Sequence, residues 1–304
     1  MAFNSVVLVK QVPDTKNITG QAMLDDGTVN RAALPAVFNP EDLNALEAAL
    51  ALRDRCGGTI TVLTMGPPSA CDILRDSLCR GADRVILITD RRAAASDTLA
   101  TSYILSCAVR KLPDVHLVFC GRQAIDGDTA QVGPQLAEKL ALPQVTYVEQ
   151  ILNISDSTIQ LRRNLGDGYE VVQAPIPLLV TVVDTANAPR PQAARKMFRY
   201  KRARGKTELT KDATEKYGKD ASDDIEQYVQ QRSEELAAKG LLIEQWDLDD
   251  IKADLTWCGR SGSPTKVHRI QSVVLSGTEH HRVEPTPQAL SELVHELIED
   301  HTIG

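Results

Sequence analysis

The residues with the clearest capacity for chemistry form one run: Gly121-Arg122-Gln123-Ala124-Ile125-Asp126-Gly127-Asp128-Thr129-Ala130-Gln131-Val132-Gly133-Pro134. Its three glycines let a backbone pass close to a ligand. Asp128 or Thr129 can cap a following helix, whose first N–H groups then attract a phosphate. Asp126 and Asp128 would repel a bare phosphate and suit ribose hydroxyls or backbone donors better. The spacing is neither the G-x-G-x-x-G fingerprint nor a Walker loop, so an ordinary strand-to-helix turn accounts for the same residues. Asn39-Pro40-Glu41-Asp42 is a second such segment. Asn39 is a good helix cap and Pro40 suits the first helical position, so a plain helix start competes there with a ligand-facing turn.

Other chemistry is poorly supported. His280-His281 would point to opposite faces of an extended segment, and no Cys–His spacing accompanies the pair, which argues against a metal. Neither a G-x-S-x-G nor an H-E-x-x-H motif is present. The six cysteines, Cys56, Cys71, Cys79, Cys107, Cys120 and Cys258, include no C-x-x-C pair. Several fall in apolar patterns where Cys acts as a small hydrophobe, so reduced, structural thiols are expected.

The elements that must position the Gly121 loop alternate in type. Apolar, β-branched runs at 5–10, 59–65, 84–89 and 115–120 read as strands, and a fifth follows at 146–152. Between them, Pro40 to Arg55, Cys71 to Arg80, Ser96 or Asp97 to Lys111, and Thr129 to Leu140 carry helical periodicity. This order predicts an α/β fold, a doubly wound, mostly parallel, Rossmann-like sheet, with ligands beyond the carboxyl ends of its strands. Runs at 158–163, 169–174 and 178–183 around Asn164-Leu165-Gly166-Asp167-Gly168 read as an antiparallel hairpin added to that sheet. After Asp184 the composition shifts. Ala186 to Arg204 is basic and proline-bearing, either a solvated linker or a partner-facing loop. A charged helix over Ser222–Lys239 and a late one near 286–298 complete an extended C-terminal arm. The expected division is an α/β nucleotide-binding domain over 1–185 and a loop-and-arm region over 186–304.

Composition narrows the function further. The chain has 304 residues, 42% hydrophobic and 25% charged, with a net charge of −7. That charge gives no reason to expect nucleic acid, and 4% aromatic residues argue against a single-strand stacking platform. The apolar runs are strand-sized, so no membrane span is expected. With no secretory leader in the pattern, a cytoplasmic protein is expected.

Several segments together resemble the β subunit of electron-transfer flavoproteins: Val9-Lys10-Gln11-Val12-Pro13-Asp14, Asn39-Pro40-Glu41-Asp42, Thr64-Met65-Gly66-Pro67, Arg80-Gly81-Ala82-Asp83-Arg84 and the Gly121 loop with its continuation to Pro134. The tail, through Trp246-Asp247-Leu248-Asp249-Asp250-Ile251 and Gly262-Ser263-Pro264-Thr265, is similar to the arm of bacterial members. The resemblance implies an electron-carrying subunit rather than a self-sufficient enzyme. It also implies a heterodimer with an α subunit that carries its own FAD. In simple members the β site holds AMP; in electron-bifurcating members it holds a second FAD that takes hydride from NADH. Electrons then reach ferredoxin or flavodoxin and, through the α-subunit FAD, an acyl-CoA dehydrogenase-like partner. Asn17-Ile18-Thr19-Gly20, Thr28-Val29-Asn30-Arg31 and Asp126-Gly127-Asp128-Thr129 look like the bifurcating group. The site residues it implies are Leu8, Val9, Asn39, Asp42, Met65, Gly66, Gly121, Gln123, Asp126, Asp128, Thr129, Ala130, Gln131, Val132, Gly133 and Pro134, with Arg31 and Asp97 as neighbours and no catalytic side chain. The family's partner-recognition loop matches 186–204, but Ala194-Arg195 stands where some members place a leucine anchor. A free-standing ATP-binding domain of the same architecture is the reading from another class.

Overall fold

The computed structural model describes residues 2–14, 34–265 and 283–299. Its framework is a ten-stranded sheet in the order β11-β12-β5-β4-β1-β6-β10-β7-β8-β9. The central strands are β1 (Ser5–Leu8), β4 (Ile60–Met65), β5 (Arg84–Ile88), β6 (Leu117–Gly121) and β10 (Leu178–Val182). A separate antiparallel pair, β2 (Gln11–Pro13) and β3 (Ala36–Phe38), lies beyond the end of β1. The central strands pair in parallel and are predominantly apolar because both faces are covered.

Alternate residues of each strand feed two cores. Val7, Val62, Phe119 and Val180 pack with Leu46 and Leu50 of α1 (Pro40–Cys56) and Leu74 of α2 (Cys71–Arg80). Val6, Leu63, Ile86, Val118 and Leu179 pack on the opposite face with Ile104 of α3 (Thr98–Lys111) and Leu136 of α4 (Val132–Leu140). The chain adds β4 and β5 to one side of β1 and then returns to place β6 on the other. The β1/β6 junction is therefore the topological switch point, where such sheets open a crevice. The doubly wound sheet expected from the strand–helix alternation is present.

Three regions differ from the sequence expectation. Leu178–Val182, assigned from pattern to the added hairpin, is a central parallel strand between β6 and β7 (Gln144–Ile154). The hairpin consists of β8 (Thr158–Asn164) and β9 (Tyr169–Pro175), which follow β7 antiparallel to the sheet edge. Complete burial of Leu178–Val182 is the signature of a central strand, and that is set by neighbours distant in sequence.

Second, the sheet crosses residue 185. β11 (Arg204–Gly205) and β12 (Leu242–Trp246) extend it in parallel past β5. Arg84 and Glu244 form two side-chain bonds of 2.7 and 2.6 Å across that join. Between them, α6 (Lys206–Tyr217) and α7 (Ser222–Ala238) pair over a small core of Leu209, Ala213, Val229 and Leu236.

Third, the stretch 186–204 is not a free loop. Arg190 binds Glu47 and Asp54 of α1, and Asn44 of α1 donates to the carbonyls of Asp184 and Asn187 at 3.1 and 2.7 Å. The basic residues beyond it form α5 (Ala194–Tyr200), on which Met197 and Phe198 are exposed. After β12, Leu248, Ile251 and Cys258 bury themselves in the α3-side core, and a short helix, α8 (Gly259–Gly262), leads the arm back to α3. The last helix, α9 (Pro287–Glu299), exposes Leu290, Val294 and Ile298 along one stripe. No helix among the described residues is long and apolar enough to cross a membrane.

A chain ending at residue 185 loses β12, which covers the β5 edge, and the buried arm residues. Uncovered edges promote association. That chain is expected to aggregate or to lose its cooperative thermal transition in circular dichroism, whereas a chain ending at residue 265 should keep it.

Candidate functional site

A cleft of about 910 Å³ lies across the carboxyl ends of β5, β4, β1 and β6, near the top of the roughly 300–1,000 Å³ range of small-molecule sites. Leu8 and Val9 at the end of β1, Met65 and Gly66 at the end of β4, and Asp42 line it. So do Gly121, Gln123, Asp126 and Asp128 of the loop, and Thr129, Ala130, Gln131, Val132 and Gly133 at the entry to α4. Asn39 and Pro134 are not in its wall. Asp97 is, while Arg31, the segments 17–20 and 28–31, and His280-His281 lie outside the described residues.

The loop is held from beneath by the first turn of α1. Of the two readings of Asn39, the plain side-chain cap is not what the structure shows, since its side chain makes no cap bond. Its amide instead donates to the Gln123 carbonyl at 2.9 Å and accepts from the Ile125 N–H at 3.1 Å. Glu41 accepts the Gln123 N–H at 2.8 Å and pairs with Arg122 at 2.7 Å. Asp42 accepts the Lys10 N–H at 2.8 Å with one oxygen and the Gly121 N–H at 2.9 Å with the other, tying the ends of β1 and β6 together. This motif therefore supports the loop as well as starting a helix.

The glycines divide differently from the expectation that all three admit a ligand. A Cβ on Gly121 would lie 2.6 Å from Asp42 Oδ1 and 2.7 Å from the Glu41 carbonyl carbon, so the residue permits close approach to α1. A Cβ on Gly133 would meet Cys120 Sγ and the Thr181 methyl, both at 2.9 Å, so this glycine lets α4 pack on the sheet. Only Gly127 has open space around it.

The helix expected from Thr129 begins at Val132, with Gln131 as its uncapped first flank. Asp128 and Ala130 adopt left-handed backbone conformations, φ 48° and 51°, which interrupt helical continuation. Strained residues of this kind persist where surrounding structure fixes them and cluster at ligand sites. Asp128 accepts from the Gln123 side chain at 3.0 Å instead of capping, and Asp126 binds Lys10 through both oxygens at 2.7 Å. The first N–H groups of α4 thus meet the cleft with no side-chain cap, an arrangement suited to an anion.

The wall on the β5 side had no motif to reveal it. It comprises Thr89 to Thr98 without Arg92, including a 3-10 turn at Arg91–Ala93, together with Thr101, Pro67 and Pro68. Apart from Asp97 and Pro67, which the family resemblance named, only the general rule that ligands sit beyond strand carboxyl ends pointed there. Asp97 caps α3 by accepting the Ala100 N–H at 2.9 Å, as anticipated, and also accepts the Thr265 N–H and hydroxyl at 3.0 and 2.6 Å. The Ser263 hydroxyl accepts the Asp97 N–H at 2.8 Å. The arm thus reaches the rim of the cleft.

Burial dominates the ionisation of the clamp. Asp42 is pushed up to about 7, since loss of water outweighs the stabilising Gly121 and Lys10 N–H groups. Burial raises Glu41 as well, against the Gln123 N–H and Arg122. Burial also raises the Cys120 thiol, which makes a poor nucleophile.

Fold and site together define a doubly wound α/β protein with a cleft at its switch point, the place where such sheets take nucleotides. Residues 26–204 match the electron transfer flavoprotein domain. The chain is 38% identical over 301 residues to the electron transfer flavoprotein subunit beta of Clostridium acetobutylicum, covering 99% of this chain and 100% of that one. It is 38% identical over 309 residues to the acryloyl-CoA reductase electron transfer subunit gamma of Anaerotignum propionicum, 98% of each. It is 47% identical over 186 residues to the caffeyl-CoA reductase-Etf complex subunit CarD of Acetobacterium woodii, 61% of this chain and 70% of that one. The chain belongs to the electron transfer flavoprotein family, among its β subunits.

Two outcomes test the clamp. Gly121→Ala forces a methyl into the α1 backbone and should cost about 2 kcal/mol or more in denaturant unfolding, with the loop displaced. For Asp42, the native carboxyl holds its proton up to about pH 7, against 3.8 for the ordinary group. Between those values the folded state binds more protons, so this residue's contribution to stability falls as pH rises. Asp42→Asn should flatten the stability–pH profile between roughly pH 4 and 7 by an amount on the order of 1–4 kcal/mol.

Proposed function

We propose that this chain is the β subunit of a heterodimeric electron transfer flavoprotein of the electron-bifurcating type, with FAD in the cleft. The observation that carries this reading is the extent of the cleft. It runs from the uncapped start of α4 to the turn after β5, past four strand ends, and a single nucleotide anchored at α4 would leave its far half open. Relatives named as subunits of acryloyl-CoA and caffeyl-CoA reductase systems support an electron-transfer role beside an enzyme acting on CoA thioesters.

The residues present suit such a group. The N–H groups of Val132 and Gly133 would hold a phosphate, and Gln123, Asp128 and Thr129 offer partners for ribose hydroxyls. Met65, Gly66, Pro67 and Pro68 provide an apolar edge on which a flat ring can lie. Bound there, FAD would supply hydride-accepting and single-electron chemistry, linking NADH to ferredoxin or flavodoxin and, through the FAD of the α subunit, to an acyl-CoA dehydrogenase. The polypeptide's own part is to bind, orient and shield the group.

The remaining surfaces have matching roles. The exposed stripe of Leu290, Val294 and Ile298 on α9 calls for cover, which an α subunit would supply. The cations of α5 and its flanks, on a chain of net charge −7, favour an acidic dehydrogenase surface. Phe198, 68% exposed beside them, offers an apolar contact where the leucine anchor is missing.

Chemical analysis of the co-expressed, purified αβ heterodimer tests the proposal. Two FAD per heterodimer and bleaching of flavin absorbance by NADH are expected. One FAD with one AMP, and no bleaching, would instead make the β subunit a docking module around a structural nucleotide.

A further inference from the structure

Among the described residues, three cations line the cleft: Lys10, Arg91 and Arg122. Lys10 is committed to Asp126 and Arg122 to Glu41. Arg92, next to Arg91 in the turn after β5, is committed to Asp90 and Asp249. The Arg91 guanidinium has no hydrogen-bond or ion-pair partner among the described residues, although the backbone carbonyl of this residue accepts the Ala94 N–H. The nearby carboxylates are engaged elsewhere: Asp90 accepts from Arg92 and the Leu248 N–H, and Asp97 from Ala100 and Thr265.

Two features place this free guanidinium in a usable setting. The segment after it, Ala93-Ala94-Ala95, has small side chains that all contact the cleft, and Ala95 is turned into a left-handed conformation, φ 58°. The result is a shallow apolar shelf with one cation at its edge. The shelf also lies far from the α4 terminus. β5 and β6 are separated by three strand spacings in the sheet, or roughly 14 Å at about 4.8 Å per strand. One phosphate cannot serve both anion-binding ends.

We propose that Arg91 is a binding residue for the pyrophosphate of the nicotinamide dinucleotide, docked on the Ala93–Ala95 shelf, while the α4 terminus holds the resident nucleotide. This inference rests on the reading of the cleft as an NADH-oxidising flavin site. Arg91 positions the donor without touching the phosphate held at α4, so its loss acts on donor affinity and leaves resident nucleotide in place. A guanidinium can bind two phosphate oxygens at once, which an ammonium cannot.

The test uses purified αβ heterodimer and NAD⁺, the redox-inert form of the donor, titrated by calorimetry. Arg91→Ala should weaken NAD⁺ binding roughly ten- to a hundredfold, the loss of a charge-assisted contact, with flavin content and melting temperature as in the unaltered protein. Arg91→Lys should recover part of the affinity. Unchanged NAD⁺ affinity in Arg91→Ala overturns the assignment, as does loss of flavin in step with loss of NAD⁺ binding, which would place Arg91 on the resident nucleotide. If the unaltered heterodimer binds no NAD⁺ and carries AMP, the reading of the cleft fails first, and this inference with it.

Discussion

The cleft depends on carboxylate and amide groups placed beneath it by one helical turn. Asp42 bridges the backbones of Lys10 and Gly121, and so fixes the junction between β1 and β6 at which the sheet reverses. Asn39 and Glu41 continue the same support to Gln123 and Ile125. Buried donors and acceptors left unpaired are costly, so these bonds satisfy the strand-end N–H groups and give the loop its shape together. The burial that makes them strong also makes the Asp42 carboxyl reluctant to ionise.

With the floor set, the loop's unusual backbone becomes tolerable. The left-handed Asp128 and Ala130 delay the start of α4 to Val132. That delay leaves the helix terminus uncapped toward the cleft. Gly133 then allows α4 to settle on Cys120 and Thr181. Strain in the loop, close packing of the helix and an open anion-binding terminus are three aspects of one local arrangement.

Much of the frame was legible in the residues. Buried parallel strands such as β1 and β6 appear as unbroken apolar runs, and the helices between them carry a clear stripe. The Gly121 loop stood out because its position after a strand and before a helix restricts what it can do. The rest depended on partners far along the chain. Leu178–Val182 is as apolar as any central strand, but its place between β6 and β7 is a matter of topology. β12 mixes Glu244 and Gln245 with apolar residues because it lies near an edge and pairs Glu244 with Arg84. Asn39 looked like a cap because its residue type favours one, and its true bonds cross 84 and 86 positions. The alanine-rich wall after β5 carries no motif, because a shelf requires only small side chains.

The Arg190 staple gives α1 a second task. Its first turn holds the floor of the cleft, and its later turns hold the lead-in to α5 through Asn44, Glu47 and Asp54. A helix rises about 1.5 Å per residue, so Glu41 and Asp54 stand roughly 20 Å apart on a single stiff rod. Cofactor seat and basic helix are therefore indexed to each other like two marks on a ruler. A neighbour that seats itself on α5 meets the cleft at a distance set by this chain alone, before any adjustment of its own.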